Sequence, residues 1–326
     1  MTLLDIFLNR QDRLRSGWRL ALFYALYQTT AAALALTLYS VALLTTHAPN
    51  AARLPGWFNY LAGFLVAFVP AVLLGWALGR LLDGVPFRAQ GWTIHHGWLR
   101  NFLLGSLGGA CALTLAALIA TVGGGFHFGA GAPVVTRAFV KTFFGAGLVY
   151  VLLAAGEEAL FRGYQLQTMM RALPIAVALV PTSLLFAYVH LANPNLPGGW
   201  LRAVMFTNTA LAGVWFAVAY WRTRSMWLPL GLHWAWNWTM GSLLGLPVSG
   251  ITSLTAAPLL RATDRGPVWL TGGAYGLQGG LACTAALIAA TVFVWRTTLL
   301  KPVAELKPYT DGEQTKAALS INAASV

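Results

Sequence analysis

The stretch Leu152-Leu153-Ala154-Ala155-Gly156-Glu157-Glu158-Ala159-Leu160-Phe161-Arg162-Gly163-Tyr164 decides how the whole chain is read. Glu157 and Glu158 are the only acidic residues between Gly84 and Thr263. They close an apolar run that begins at Phe143, where a carboxylate is costly. An acidic side chain deep in a bilayer costs about 2.5–3.5 kcal/mol even on lenient insertion scales. Residues four apart share a helix face, so Glu158 and Arg162 can pair in the favourable acid-first order. Glu157 lies about 100° further round the helix and gains nothing from that bridge. Acids inside a membrane segment point to function; the competing reading is an ion-pairing doublet in a loop.

The composition sets the class. The 326 residues are 58% hydrophobic and 9% charged, with a mean hydropathy of +0.65. A soluble protein of this length carries roughly 25% charged residues, so this is an integral membrane protein. The net charge of +12 does not imply nucleic acid. Lys and Arg cluster at the ends of apolar runs, where they set topology and meet anionic lipid. Cys111 and Cys283 both lie inside apolar segments and suggest neither a disulfide framework nor a metal knuckle. No cleavable signal peptide is visible, because Asp5, Arg10, Asp12, Arg13 and Arg15 interrupt the N-terminus. Leu3, Leu4, Phe7 and Leu14 could share one face of a short interfacial helix.

Working outward, about eight runs reach the length needed to span a bilayer: 18–44, 57–82, 98–122, 138–164, 175–191, 203–221, 227–246 and 274–295. The fourth, which holds the glutamates, is expected to continue past Met170. Placing the N-terminus inside puts 15 of the 21 Lys and Arg on the cytoplasmic side, in keeping with the positive-inside rule. The expected fold is an all-α polytopic membrane helix bundle with both termini cytoplasmic. Its parts are an interfacial segment 1–16, a membrane domain 17–300 with a core at 138–246, and a disordered tail 301–326. The Gly-rich segment 123–133 and the segment 247–273 read as outer loops. There is no internal repeat.

Three further polar positions stand out in apolar surroundings: His190, which closes the fifth run, and His233 with Asn237 in the seventh. The spacing of four places His233 and Asn237 on one face. Taking the turn between runs four and five at Leu173-Pro174, Glu157 and His190 each lie 16 residues from it. Both are then about 24 Å along their helices, level in an antiparallel hairpin. A carboxylate beside an imidazole can activate water as general base. A second imidazole and a carboxamide can donate to a developing oxyanion. Glu157, His190 and His233 also match a catalytic zinc ligand set with an open position, so metal-free and zinc readings both stand.

The order Glu157-Glu158-x-x-x-Arg162, Phe186-x-x-x-His190, His233-x-x-x-Asn237 resembles the three-motif signature of the CPBP family. These are the intramembrane proteases related to the type II CAAX prenyl protease and to the lysostaphin-resistance-protein-like, or Abi, proteins. The resemblance runs from about residue 139 to 246, and the Arg15-Ser16-Gly17-Trp18-Arg19 entry to the first run is similar to bacterial members. It implies that Glu157 and His190 activate water, that His233 and Asn237 stabilise the oxyanion, and that Glu158 and Arg162 support them. It further implies a multi-pass protein of a bacterial inner membrane that cleaves membrane-anchored or lipid-proximal peptides. No cofactor is required on the favoured glutamate mechanism, with zinc as the alternative. The implied partners are lipid and peptide, not nucleic acid.

Two other functions compete: a non-catalytic binding or immunity protein, and a proton-coupled transporter. The missing repeat and the absence of matched broken helices weigh against the transporter. His95-His96 reads as a solvated inner-loop pair. Most tryptophans fall at run ends, as an aromatic belt would. Trp234, Trp236 and Trp238, around His233 and Asn237, read as cavity wall or as packing.

Overall fold

The computed structural model describes residues 4–9, 13–132, 136–255 and 257–310. Its main helices are α1 (Ser16–Thr46), α2 (Gly56–Leu78), α3 (Trp98–Val122), α4 (Arg137–Leu160), α5 (Ile175–Val189), α6 (Trp200–Thr223), α7 (Trp227–Trp238) and α8 (Leu281–Arg296). Among the described residues six spans are long and apolar enough to cross a membrane, so the chain is a multi-pass membrane protein. The two other expected passes are shorter. α7 has 12 residues plus a five-residue π turn, Thr239–Leu243. α8 has 16 residues, because residues 274–280, expected to be helical, form glycine-rich 3-10 turns instead.

α6 is the axis of the bundle: 56% of its most apolar window is buried, against 6% for α1 at the periphery. α5, α7 and α8 pack around α6; α3 packs on α7, α4 on α2, and α1 on α2. Lipid offers no hydrophobic drive to press helices together, so small residues that permit close packing take over. The α3–α7 contact is built this way. A Cβ at Gly105 would lie 2.2 Å from the Leu228 carbonyl oxygen, and one at Gly109 2.2 Å from that of Leu232. α7 is tied to α4 from the other side by two indoles. Trp234 donates to the Gly147 carbonyl at 2.9 Å and Trp238 to that of Phe143 at 3.1 Å.

One end of the bundle gathers the cations. Asp83 is buried between Arg19, with which it forms an ion pair, and Arg171 at 3.2 Å. This joins the start of α1, the end of α2 and the far end of the glutamate helix. Arg222 donates to the carbonyls of Trp295, Thr297 and Leu300, fastening α6 to the end of α8. His95 departs from the expectation of a solvated pair: it is buried, with Nε2 2.8 Å from Ser225 Oγ.

The opposite end departs from an all-helical reading. Segments 123–133 and 247–273 contribute two strands, β1 (Phe126–Ala130) and β2 (Leu260–Asp264). They pair antiparallel, with Phe126 opposite Asp264 and Ala130 opposite Leu260. Short Gly- and Thr-containing segments carry little periodicity, which is why the ribbon was not foreseen. At the N-terminus, Leu4–Phe7 is one helical turn, and Trp18 donates to the Ile6 carbonyl at 3.0 Å. Of the tail expected to be disordered, 301–310 packs on the bundle through Val303 N–H to the Thr223 carbonyl at 2.8 Å. Residues 311–326 lie outside the described residues.

If backbone contact between α3 and α7 sets the helix spacing, Gly109→Ala should lower thermal stability in detergent by about 1–3 kcal/mol, as an overpacked core does. Gly108→Ala is the control, since its Cβ would meet only the flexible Leu232 Cδ2, at 2.9 Å. Equal effects of the two would contradict this account.

Candidate active site

The glutamate helix does not run straight. α4 ends at Leu160 and the chain passes through a π turn, Phe161–Gln165, before Leu166–Ala172 resumes as α-helix. Gly163 leaves helical backbone there (φ −69°, ψ −125°). The expected continuation past Met170 is present, but kinked. Wide turns of this kind recur at functional sites. This one begins three residues after Glu158.

Glu158 and Glu157 have opposite fates. Glu158 is fully buried, with Oε1 3.2 Å from Arg162 Nη1. Arg162 is itself buried and donates through Nη2 to the Gly213 carbonyl on α6 at 3.1 Å. Its guanidinium lies 4.5 Å from the Phe186 ring and 5.1 Å from the Phe216 ring. Close cation–π contacts of this kind offset part of the desolvation cost of a buried cation. Glu157, on the neighbouring face, keeps 35% of its side chain exposed and reaches a cavity of about 410 Å3. That volume falls within the range of about 300–1,000 Å3 typical of ligand sites.

All four expected site residues line this cavity: Glu157 from α4, His190 from the end of α5, and His233 and Asn237 from α7. Glu157 Oε2 lies 3.9 Å from His190 Nε2 and 3.7 Å from His233 Nε2. Those distances exceed a hydrogen bond and lie within reach of one bridging water. The level placement inferred from counting along the hairpin is what the structure has.

The tautomers follow from the outer partners. His190 Nδ1 is 2.7 Å from the Phe186 carbonyl, which can only accept, so Nδ1 carries the proton. His233 Nδ1 is 2.8 Å from Glu158 Oε1 and donates to it. Both rings therefore turn Nε2 towards Glu157 Oε2, a buried atom with no hydrogen-bond partner. A water, a proton or a cation could bridge these three atoms.

Zinc meets half of the requirement. The donor types fit, and each histidine donates its outer N–H to an oxygen, as metal-bound histidines do. The spacing does not fit. Ligand atoms about 2.0–2.2 Å from zinc stand roughly 3.4 Å apart in a tetrahedron, closer than the 3.7 and 3.9 Å observed. Among the described residues no group of three His, Cys, Asp or Glu could hold a metal ion. As placed, these residues do not form a zinc cradle.

Several features escaped the sequence. The Glu158–His233 bond joins two motifs 75 residues apart, and no local spacing signals it. Phe216 stacks on His233 with centroids 4.7 Å apart and planes at 15°, one phenylalanine among many in the sequence. Asn193, Asn208, Ser249 and Gln278 line the far side of the cavity. Asn208 could have been noticed as a carboxamide within an apolar run. Of the three central tryptophans, Trp236 lines the cavity, whereas Trp234 and Trp238 serve packing.

Removing Arg162 should leave Glu158 buried without a counter-charge. Arg162→Met is expected to cost about 3–5 kcal/mol of stability, read as thermal unfolding in detergent. Adding Glu158→Gln should restore much of that loss. A double variant as unstable as the single one would mean that Arg162 acts by filling space between Phe186 and Phe216.

Residues 139–239 match a family model described as type II CAAX prenyl endopeptidase Rce1-like. No match is found among curated proteins or among solved structures. At the level of the family, the match supports a CAAX-type intramembrane endopeptidase. The matched segment contains Glu157, His190, His233 and Asn237.

Proposed function

We propose that the chain hydrolyses internal peptide bonds of membrane-anchored or lipid-proximal substrates with a water activated by Glu157 and His190, without a covalent enzyme intermediate. The observation that carries this reading is the approach of the His190 and His233 Nε2 atoms to Glu157 Oε2, at 3.9 and 3.7 Å, within one cavity. A water there can donate one hydrogen to Glu157 and the other to His190 Nε2, which leaves its oxygen lone pair free to attack.

Glu157 takes the first proton as the new C–O bond forms. The carbonyl π electrons move onto oxygen, and Asn237 on α7 supplies N–H donors to that oxyanion. His233 can add a donor from Nε2 only as the doubly protonated ring, because its Nδ1–H is already committed to Glu158. As the C–N bond breaks, Glu157 returns its proton to the departing amine and the carboxylate is restored. Glu158 and Arg162 take no part in bond making; they hold His233 in orientation. No step requires a metal, and zinc held by Glu157, His190 and His233 is the competing reading.

The test compares new peptide termini in membranes expressing wild type or Glu157→Gln at matched levels. Termini that depend on the wild type should disappear, with turnover lower by about 10²–10⁴-fold, the size of a general-base contribution. Identical termini in the two samples would refute proteolysis and favour a binding role for the cavity. Metal analysis of active protein separates the mechanisms: stoichiometric zinc whose removal abolishes cleavage would replace the metal-free scheme.

A further inference from the structure

A second concavity, of about 440 Å3, opens on the opposite side of the α6–α7 wall from the candidate active site. α3 forms one rim through Leu104 and Leu107; α8 and the segment after it form the other through Phe293 and Leu299. Its floor is Trp215 of α6 and Leu232 of α7. These two residues immediately precede Phe216 and His233, which line the first cavity. Apart from Cys111, Thr297 and the indole N–H of Trp215, the lining side chains are hydrocarbon. The rims face outward: Leu107 is 62% exposed and Phe293 60%.

The two ends of this groove differ. Arg100 stands one helical turn before Leu104, is exposed, and donates to the carbonyl of the lining residue Leu299 at 3.2 Å. Arg296 and Lys301, both exposed, flank the lining residues Thr297 and Leu300 in sequence. Arg222 is already committed to three carbonyls, but the donors of Arg100 beyond that one bond, and those of Arg296 and Lys301, face the surface. Glu305 is the only acidic residue from 297 to 310. An alkyl-lined trough ending in a group of cations matches an amphiphile with an apolar chain and a negative head. Cations near a membrane surface each attract anionic lipid.

We propose that this groove is a binding site for an anionic phospholipid, with one acyl chain lying against Trp215 and Leu232 and the phosphate held at Arg100. The chain would back the helices that carry His233 and Phe216 from the side opposite the candidate active site. The site is independent of the proteolytic reading.

The test uses the full chain in phosphatidylcholine vesicles containing a phosphatidylglycerol with a diazirine in one acyl chain; photolabelled peptides are mapped by mass spectrometry. Label should concentrate on the peptides holding Leu104, Leu107 and Phe293, well above the lipid-facing surface of α1. Leu107→Trp, which fills the groove from an exposed position, should remove that excess. Arg100→Gln retains a donor for the Leu299 carbonyl but loses the charge. It should reduce phosphatidylglycerol labelling about fivefold, the equivalent of about 1 kcal/mol for one surface cation. Labelling spread evenly over all lipid-facing helices would overturn the proposal. So would equal labelling by a phosphatidylcholine probe, or an excess that persists in a folded Leu107→Trp protein.

Discussion

The buried Glu158–Arg162 pair is the constraint on which the site's geometry depends. Two opposite charges with almost no solvent contact are stable only if both are well supplied with partners. The supply comes from four helices. α4 gives the glutamate, α5 gives Phe186, α6 gives Phe216 and the Gly213 carbonyl, and α7 gives the Nδ1–H of His233. A shift of any one of these would leave a charged group short of a contact. The pair therefore fixes the relative heights of four helices, and with them the height of His190 and His233 against Glu157.

Two adjacent glutamates thus do different work because a helix turns by about 100° per residue. Glu158 points at the cation and an imidazole and is fully enclosed; Glu157 points into the cavity with a third of its side chain open. The carboxylate that orients His233 is enclosed, and its neighbour is the one that reaches the cavity. The π turn that follows is consistent with this division of labour. By departing from regular helix at Gly163, the chain leaves the Glu158–Arg162 spacing intact and redirects the segment Leu166–Ala172, which carries Arg171 and its bridge to Asp83.

Much of this was legible in the sequence because intramembrane polar residues are few. With only two acids in the central stretch, pairing Glu158 with Arg162 left Glu157 as the free group. Helical rise alone placed His190 level with Glu157. Legibility failed where distance in sequence or weak periodicity intervened. The Glu158–His233 bond depends on the packing of α4 on α7, which residue spacing does not encode. The β1–β2 ribbon is made from Gly-containing segments that read as loops. Composition alone could not separate spans from shorter apolar helices, so α7 and α8 were read as longer than they are. His95 looked solvated because its partner, Ser225, lies 130 residues away.

The wall between the two cavities follows from the same helical geometry. Trp215 and Phe216 are consecutive on α6, as Leu232 and His233 are on α7, and consecutive side chains diverge by about 100°. One member of each pair faces the apolar groove and the other the polar site. Trp215 also packs edge-on against Trp236, with centroids 5.8 Å apart, and Phe216 stacks on His233. The wall is therefore one layer of aromatic and aliphatic side chains. Close-packed interiors of this kind transmit strain. Whatever occupies the groove bears on the same two helices that hold the imidazole in register with Glu157.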